Sequence, residues 1–316
     1  MTVLSVSDLP GIESDMSTDT VPIMAEPPGA VESKGSPPKI LVPRHKLIVR
    51  INHWINVVAL SLMLMSGLNI FNAHPALYWG QYSTFDHPWL SLTATQTAKD
   101  GVRGVTQIGP VKIDTTGLLG ASKEDGMIIG RGFPAWITIP HTTYLSDARN
   151  WHFFWAWVFA LNGAIYLISG LFNRHLIRDI IPAPKDLLNV PRDVIDHVLL
   201  HFHKGWAATR YGPLQRIAYA GIALVVLPVI VLTGMTMSPA LDSAFPFLLH
   251  LFGGRQSARS IHFICAMLAV GFIVIHLVMV LLTGPFNQVR GMITGKFLIE
   301  DDHATNLGKD ADHEPA

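Results

Sequence analysis

Four histidines carry the legible chemistry of this chain: His53, His152, His262 and His276. Each stands in or at the edge of a long apolar run, where an ionisable ring is costly and marks function. His262 and His276 are fourteen residues apart. At about 3.9 helical turns their rings share one face, roughly 21 Å apart along the axis. In a bilayer core of about 30 Å, that rise puts one ring near each side. Two imidazoles meeting at one depth are the axial set of a six-coordinate b-type haem. Such a haem has no open position and moves electrons rather than binding oxygen. A lone histidine at a helix end is more often an interfacial hydrogen-bonder, but four that pair by depth point the other way. One zinc ion cannot collect two widely separated pairs. A metal carrier is expected to have mid-membrane carboxylates, and the runs contain none.

The elements that must position these rings are four apolar runs, at about 53–71, 151–172, 217–237 and 261–282, all free of Asp, Glu, Lys and Arg. Each is near the roughly 20 residues a helix needs to cross the hydrocarbon. Lipid offers the backbone no partners, so the spans must be helical. The expected fold is therefore an all-α integral membrane protein, a four-helix bundle over 43–298 with a long loop at 72–150. Residues 1–42 and 299–316 are rich in polar residues and read as disordered tails. The first of these lacks the pattern of a secretory signal.

Basic residues set the orientation. Arg44, Lys46 and Arg50 precede the first run, and Arg174, Arg178, Lys185, Arg192, Lys204, Arg210 and Arg216 lie between the second and third. Both termini and the middle connection are expected in the cytoplasm, with the first loop in the periplasm of a bacterial inner membrane. On this topology His53 pairs with His276 on the cytoplasmic side, and His152 pairs with His262 on the periplasmic side. Arg50, Arg255 and Arg259 fall near these depths and are candidate partners for haem propionates. Gly67, Gly163, Gly170, Gly234 and Gly271 lie within or beside the runs, where they leave room for a flat macrocycle or for close helix packing.

Composition bounds the alternatives. The chain has 316 residues, 15% charged and 49% apolar, with no formal net charge, so bulk electrostatics implies no nucleic-acid partner. Cys265 is the single cysteine. An intrachain disulfide, an iron–sulfur cluster and covalent c-type haem attachment are thereby excluded.

The segments RHKLIVRINHW, RNWHFFWAWVFALNG, RYGPLQRIAYAGI, LTGMTMSPAL and GPFNQVRGMITG, with the His-(thirteen residues)-His of the last run, carry a resemblance. Over about 40–298 the chain resembles the bacterial di-haem cytochrome b561-type family, which includes the cytochrome b subunits of nickel hydrogenase and formate dehydrogenase. It is most similar to the thiosulfate-reductase-type branch. The resemblance implies that His53 and His276 hold one haem b and that His152 and His262 hold the other. It also implies a quinone near the cytoplasmic-side haem. A periplasmic redox subunit, similar to a molybdopterin oxidoreductase, would dock near the other. The long first loop departs from the short hydrogenase subunits, so their docking geometry does not transfer.

The quinone site is less legible. His197 and His201 stand at i, i+4, where two imidazoles would share one face and could bind a metal, with His203 beyond; the stretch reads rather as an interfacial amphipathic helix with solvated histidines. His201 and His203 are weak candidates for proton exchange with quinone. His74, His87 and His141 read as surface or packing residues. Trp79, Tyr82, Trp89, Trp136 and Tyr144 suggest interfacial or partner-facing packing of the first loop. Besides an electron-transfer subunit, two other functions fit the same residues. One is a stand-alone quinone-linked oxidoreductase acting on superoxide. The other is a haem-free membrane anchor or metal carrier.

Overall fold

The computed structural model describes residues 38–97, 101–174, 176–201 and 211–300. Four long helices dominate: α1 (Leu47–Asn72), α2 (Leu145–Phe172), α4 (Pro213–Thr236) and α7 (Arg255–Leu282), each long and apolar enough to span a bilayer. They match the four runs but start several residues earlier, because a polar first turn can extend into the headgroup region. Their packing is the reverse of a soluble bundle. Large apolar side chains such as Leu161, Phe172, Ile275 and Leu281 point outward, while the buried ones include Ala59, Ser66, Asn162, Thr233, Ala258, Ser260 and Ala269. Small and hydroxylated residues let helices approach where lipid removes any hydrophobic drive between them. α4 contains a wide π-turn at Ile222–Val226. It ends just ahead of Pro228, whose missing N–H and ring cannot continue a regular ladder.

The first loop departs from the all-α expectation. A four-stranded antiparallel sheet, ordered β2-β3-β4-β5, joins β2 (Ala76–Leu77), β3 (Leu90–Thr97), β4 (Gly101–Ile108) and β5 (Val111–Asp114). A separate hairpin joins β6 (Ala121–Glu124) to β7 (Met127–Gly130), turning through Asp125 and Gly126 at φ 48° and 84°. Asp-Gly with both residues left-handed is the sequence a tight two-residue hairpin demands. Phe71, Leu77, Leu90 and Leu92 form a buried cluster, with Trp89, Leu119, Phe133 and Phe263 packed on it. The module is thus seated on the ends of α1 and α7.

A second departure lies at the opposite end of the bundle. Residues 39–42 and 299–300, expected in the tails, pair in register as β1 (Lys39–Pro43) and β8 (Lys296–Glu300). Apart from Pro38, the remaining tail residues lie outside the described ones. The amphipathic α3 (Pro184–Val198) is tied to the start of α4 by two carboxylates. Asp186 accepts from Arg216 Nη1 at 2.8 Å, and Asp193 accepts from the Leu214 N–H at 2.8 Å. Short helices α5 (Pro239–Ala244) and α6 (Phe247–Leu251) link α4 to α7, and α8 (Pro285–Thr294) follows α7.

Candidate functional site

The structure brings the four histidines together in two pairs. His53 on α1 and His276 on α7 have ring centres 6.4 Å apart, with planes at 58°. His152 on α2 and His262 on α7 have ring centres 6.2 Å apart, with planes at 63°. A transition metal holds an imidazole nitrogen at about 2 Å, and the ring centre lies roughly 1 Å beyond, so two rings flanking one ion stand about 6 Å apart. Both pairs meet that spacing. Among the described residues no three His, Cys, Asp or Glu side chains converge on one point. Each pair would supply two ligands, the number that a porphyrin leaves to the protein.

The His152/His262 layer is held by a duplicated cradle. His152 Nδ1 lies 3.0 Å from the Met63 carbonyl and 3.3 Å from Ser66 Oγ, both on α1. His262 Nδ1 lies 3.0 Å from the Ile230 carbonyl and 3.1 Å from Thr233 Oγ1, both on α4. Ser66 and Thr233 each donate to a carbonyl four residues back at 2.6 Å, which leaves their lone pairs for the imidazole. A carbonyl accepts only, so Nδ1 carries the proton and Nε2 is left unprotonated, the form in which an imidazole can bind a metal. The next residue in each cradle is glycine. A Cβ on Gly67 would come within 3.2 Å of His152 Cε1, and one on Gly234 within 3.4 Å of His262 Cε1. Carbonyl, hydroxyl and glycine recur at i, i+3 and i+4 in both helices.

The His53/His276 layer is built differently. His53 Nδ1 is buried with no hydrogen-bond partner. His276 stacks on Phe272, ring centres 5.9 Å apart at 17°, and Trp54 meets His53 edge-on. The register between α1 and α2 is set by buried amides. Asn52 Nδ2 donates to the Asn162 carbonyl at 3.2 Å, while Asn162 Nδ2 donates to the Asn52 carbonyl at 3.1 Å and to Asn56 Oδ1 at 2.8 Å. This clamp adjoins His53 in sequence. Asn162→Leu should cost about 1–2 kcal/mol, lowering the melting temperature and broadening the spectroscopic signal of the His53/His276 layer first.

The other candidates divide. Arg259, one turn before His262, lies half-buried over the Phe71 ring at 5.9 Å. It donates to the His74 carbonyl at 2.5 Å and has no carboxylate partner among the described residues. Arg50, one turn before His53, has a buried Nε without a partner. Arg255 is instead paired with Asp242 at 2.5 Å. His74 is no simple surface residue: it stacks against Tyr78, and burial, then the Arg259 charge, hold its imidazole below the ordinary range. His197 and His201 do not share a helix face. α3 stops at Val198, Leu200 turns left-handed at φ 57°, and His201 lies exposed beyond; His203 lies outside the described residues.

Tight docking of the outer loop also places α7. The Gly80 carbonyl accepts from the N–H groups of Gln256 and Ser257 at 3.0 and 3.1 Å, capping the helix start. Gly254, at φ 108°, lies so close that a Cβ would come within 2.7 Å of Gly80. Only glycine fits there.

Comparison with known proteins gives the family. The family model for prokaryotic cytochrome b561 matches residues 44–295, a span that takes in all four histidines. The chain belongs to the prokaryotic cytochrome b561 family. It is an integral membrane electron-transfer protein of the b-haem-binding kind. A protein of Azospira oryzae, named as putative protein-methionine-sulfoxide reductase subunit YedZ1, is 28% identical over 243 residues, covering 75% of this chain and 90% of the relative. No solved structure matches. Within this cytochrome b561 chain, Asn52, Asn162, Ser66 and Thr233 are the positioning residues that sequence reasoning passed over. The repeated Ser-Gly and Thr-Gly of α1 and α4 were the signal that could have found the two hydroxyls.

Proposed function

We propose that this cytochrome b561 protein is the di-haem membrane subunit of a bacterial inner-membrane redox complex. It exchanges electrons between a periplasmic partner, of the molybdopterin-oxidoreductase class, and quinone. The observation that carries the reading is the pair of imidazole couples, 6.2 and 6.4 Å between centres, at opposite ends of one helix. Bound there, b-type haem supplies one-electron redox chemistry without an open coordination position. His152 and His262 orient Nε2 by donating Nδ1–H to carbonyls, and His53 and His276 complete the second set. Arg259 and Arg50, cations without carboxylate partners among the described residues, fit haem propionates; Arg255, already engaged by Asp242, fits less well. The basic connections support cytoplasmic termini, and hence the loop module on the periplasmic side. That module adjoins the His152/His262 layer, where a partner would dock. The name of the Azospira relative, a subunit of a reductase, supports a partnered role over a stand-alone superoxide-linked one. His201, exposed at the other end, and His203, outside the described residues, are the weak candidates for proton exchange with quinone.

The test is a dithionite-reduced spectrum and a haemochrome assay on the purified full-length protein. Two b-type haems per chain and a co-purifying molybdopterin subunit are expected. A protein that stays colourless after haem-replete expression ends the reading.

A further inference from the structure

Residues 74–89 of the first loop are bound to the start of α7 almost residue by residue. The Arg255 N–H donates to Gln81 Oε1 at 3.1 Å, and the N–H groups of Gln256 and Ser257 donate to the Gly80 carbonyl. Ser257 Oγ accepts from the Gly80 N–H at 2.7 Å, and Arg259 Nη2 donates to the His74 carbonyl. Ser260 Oγ donates to the Tyr78 carbonyl at 2.6 Å and accepts from Trp89 Nε1 at 2.9 Å. The unpaired N–H groups of a first helical turn point along the axis, away from the helix body. Gly80, their acceptor, therefore stands beyond the end of α7 and not beside it. Residues 255–260 of α7 precede its apolar run. At 1.5 Å per residue they lift the helix start about 9 Å above the hydrocarbon. The headgroup layer is only about 5–8 Å deep on each side. The cap on α7 thus stands above the level at which aromatic belts meet lipid.

Three aromatic side chains of this cap are exposed: Trp79 at 53%, Tyr82 at 79% and Phe85 at 74%. Two of them are held from beneath. Trp79 stacks on Trp89, ring centres 5.9 Å apart at 24°, and Trp89 is pinned by Ser260, two residues before His262. Phe85 meets the rings of His74 and Tyr78 edge-on at 5.8 and 6.2 Å. Aromatic groups fixed before contact lose little freedom on binding, and Trp and Tyr carry much of the energy where proteins meet. Residues 79–89 include no Lys or Arg, and Asp86 is their single acid.

We propose that Trp79, Tyr82 and Phe85 form the seat of the redox partner, which meets them with an uncharged, largely apolar face. This rests on the partnered reading above and names where that partner sits. The seat lies on the turn that leads into His262. A partner docked there is brought to the His152/His262 layer without touching the spans.

Molybdenum and haem per chain, measured on the full-length protein purified from native membranes, test the seat. Trp79→Ala and Tyr82→Ala should each weaken retention of the molybdopterin subunit about ten- to thirtyfold, with haem per chain unchanged. Phe172→Ala, at 86% exposed but on the far end of α2, should keep both at the parent level. Tyr82→Cys should react with a membrane-impermeant maleimide in protein washed free of the partner and be shielded in its presence; the native Cys265 is buried. Molybdenum retained in both alanine variants, or lost equally in Phe172→Ala, overturns the proposal. So does an unreactive Tyr82→Cys in the free protein, because lipid or a second copy of the chain would then cover the patch. A parent that carries haem but no molybdenum strikes the partnered reading itself, before any variant is made.

Discussion

Replacing His262 with alanine should halve the haem content of the purified protein and leave the remaining half with an unchanged spectrum. His262 is the central member of its layer, facing His152 across 6.2 Å and fixed by α4 through Ile230 and Thr233. On the proposed two-haem reading alanine removes one axial ligand outright, and a single imidazole binds haem far less firmly than two. The other layer stands fourteen residues along the same helix, about 21 Å away, with its own histidines on α1 and α7. It should survive. The measurement is haem per chain by haemochrome assay together with the low-temperature α-band. His53→Ala is the reciprocal experiment and should remove the complementary component. Loss of both components in either variant would show that the layers do not assemble independently.

The second large effect should come from Gly67→Val, which touches no ligand atom covalently. A Cβ at this position would already crowd His152, at 3.2 Å from Cε1 and 3.4 Å from Nδ1. The two further methyl groups of valine point into the same space. The imidazole must swing away, giving up its bonds to the Met63 carbonyl and Ser66. One haem should be lost or become five-coordinate, visible as a high-spin band in the ferric spectrum. Gly163→Ala is the matched control. Nothing lies within 4 Å of a Cβ there, so that variant should retain the parent spectrum. If both glycines tolerate substitution equally, the cradle does not orient the ring.

The membrane architecture was legible because one physical cause dominates it. Twenty apolar residues without a charge can only be a span, and histidines fourteen apart can only share a face. The pairing of His53 with His276 and of His152 with His262 followed from depth and direction alone. What surrounds the ligands was less legible, because it depends on contacts between distant segments. The Asn52–Asn162 clamp joins residues 110 apart, and either asparagine alone reads as an ordinary polar residue near a helix end. The loop module escaped for a different reason. Its strands are short and only partly apolar, and their alternation is weak beside four membrane helices. Asp125-Gly126 and Gly109-Pro110 did carry turn chemistry that a closer reading could have used, since two-residue connections close both hairpins. The His197/His201 pairing failed at a helix end, where one left-handed residue, Leu200, cancels a periodicity that extends through the sequence without interruption.

The strand pair β1–β8 has a consequence for how the protein is made. It joins residues 39–43 to residues 296–300, so a strand made ahead of all four spans waits for one made after them. One imidazole of each couple also comes from α7, the last of the four spans. The α1–α2 hairpin, with its amide clamp, can form in the bilayer during synthesis, yet it holds only one imidazole of each couple. Closure of either couple is thereby deferred until α7 has been made, and a chain terminated ahead of α7 carries no complete imidazole pair.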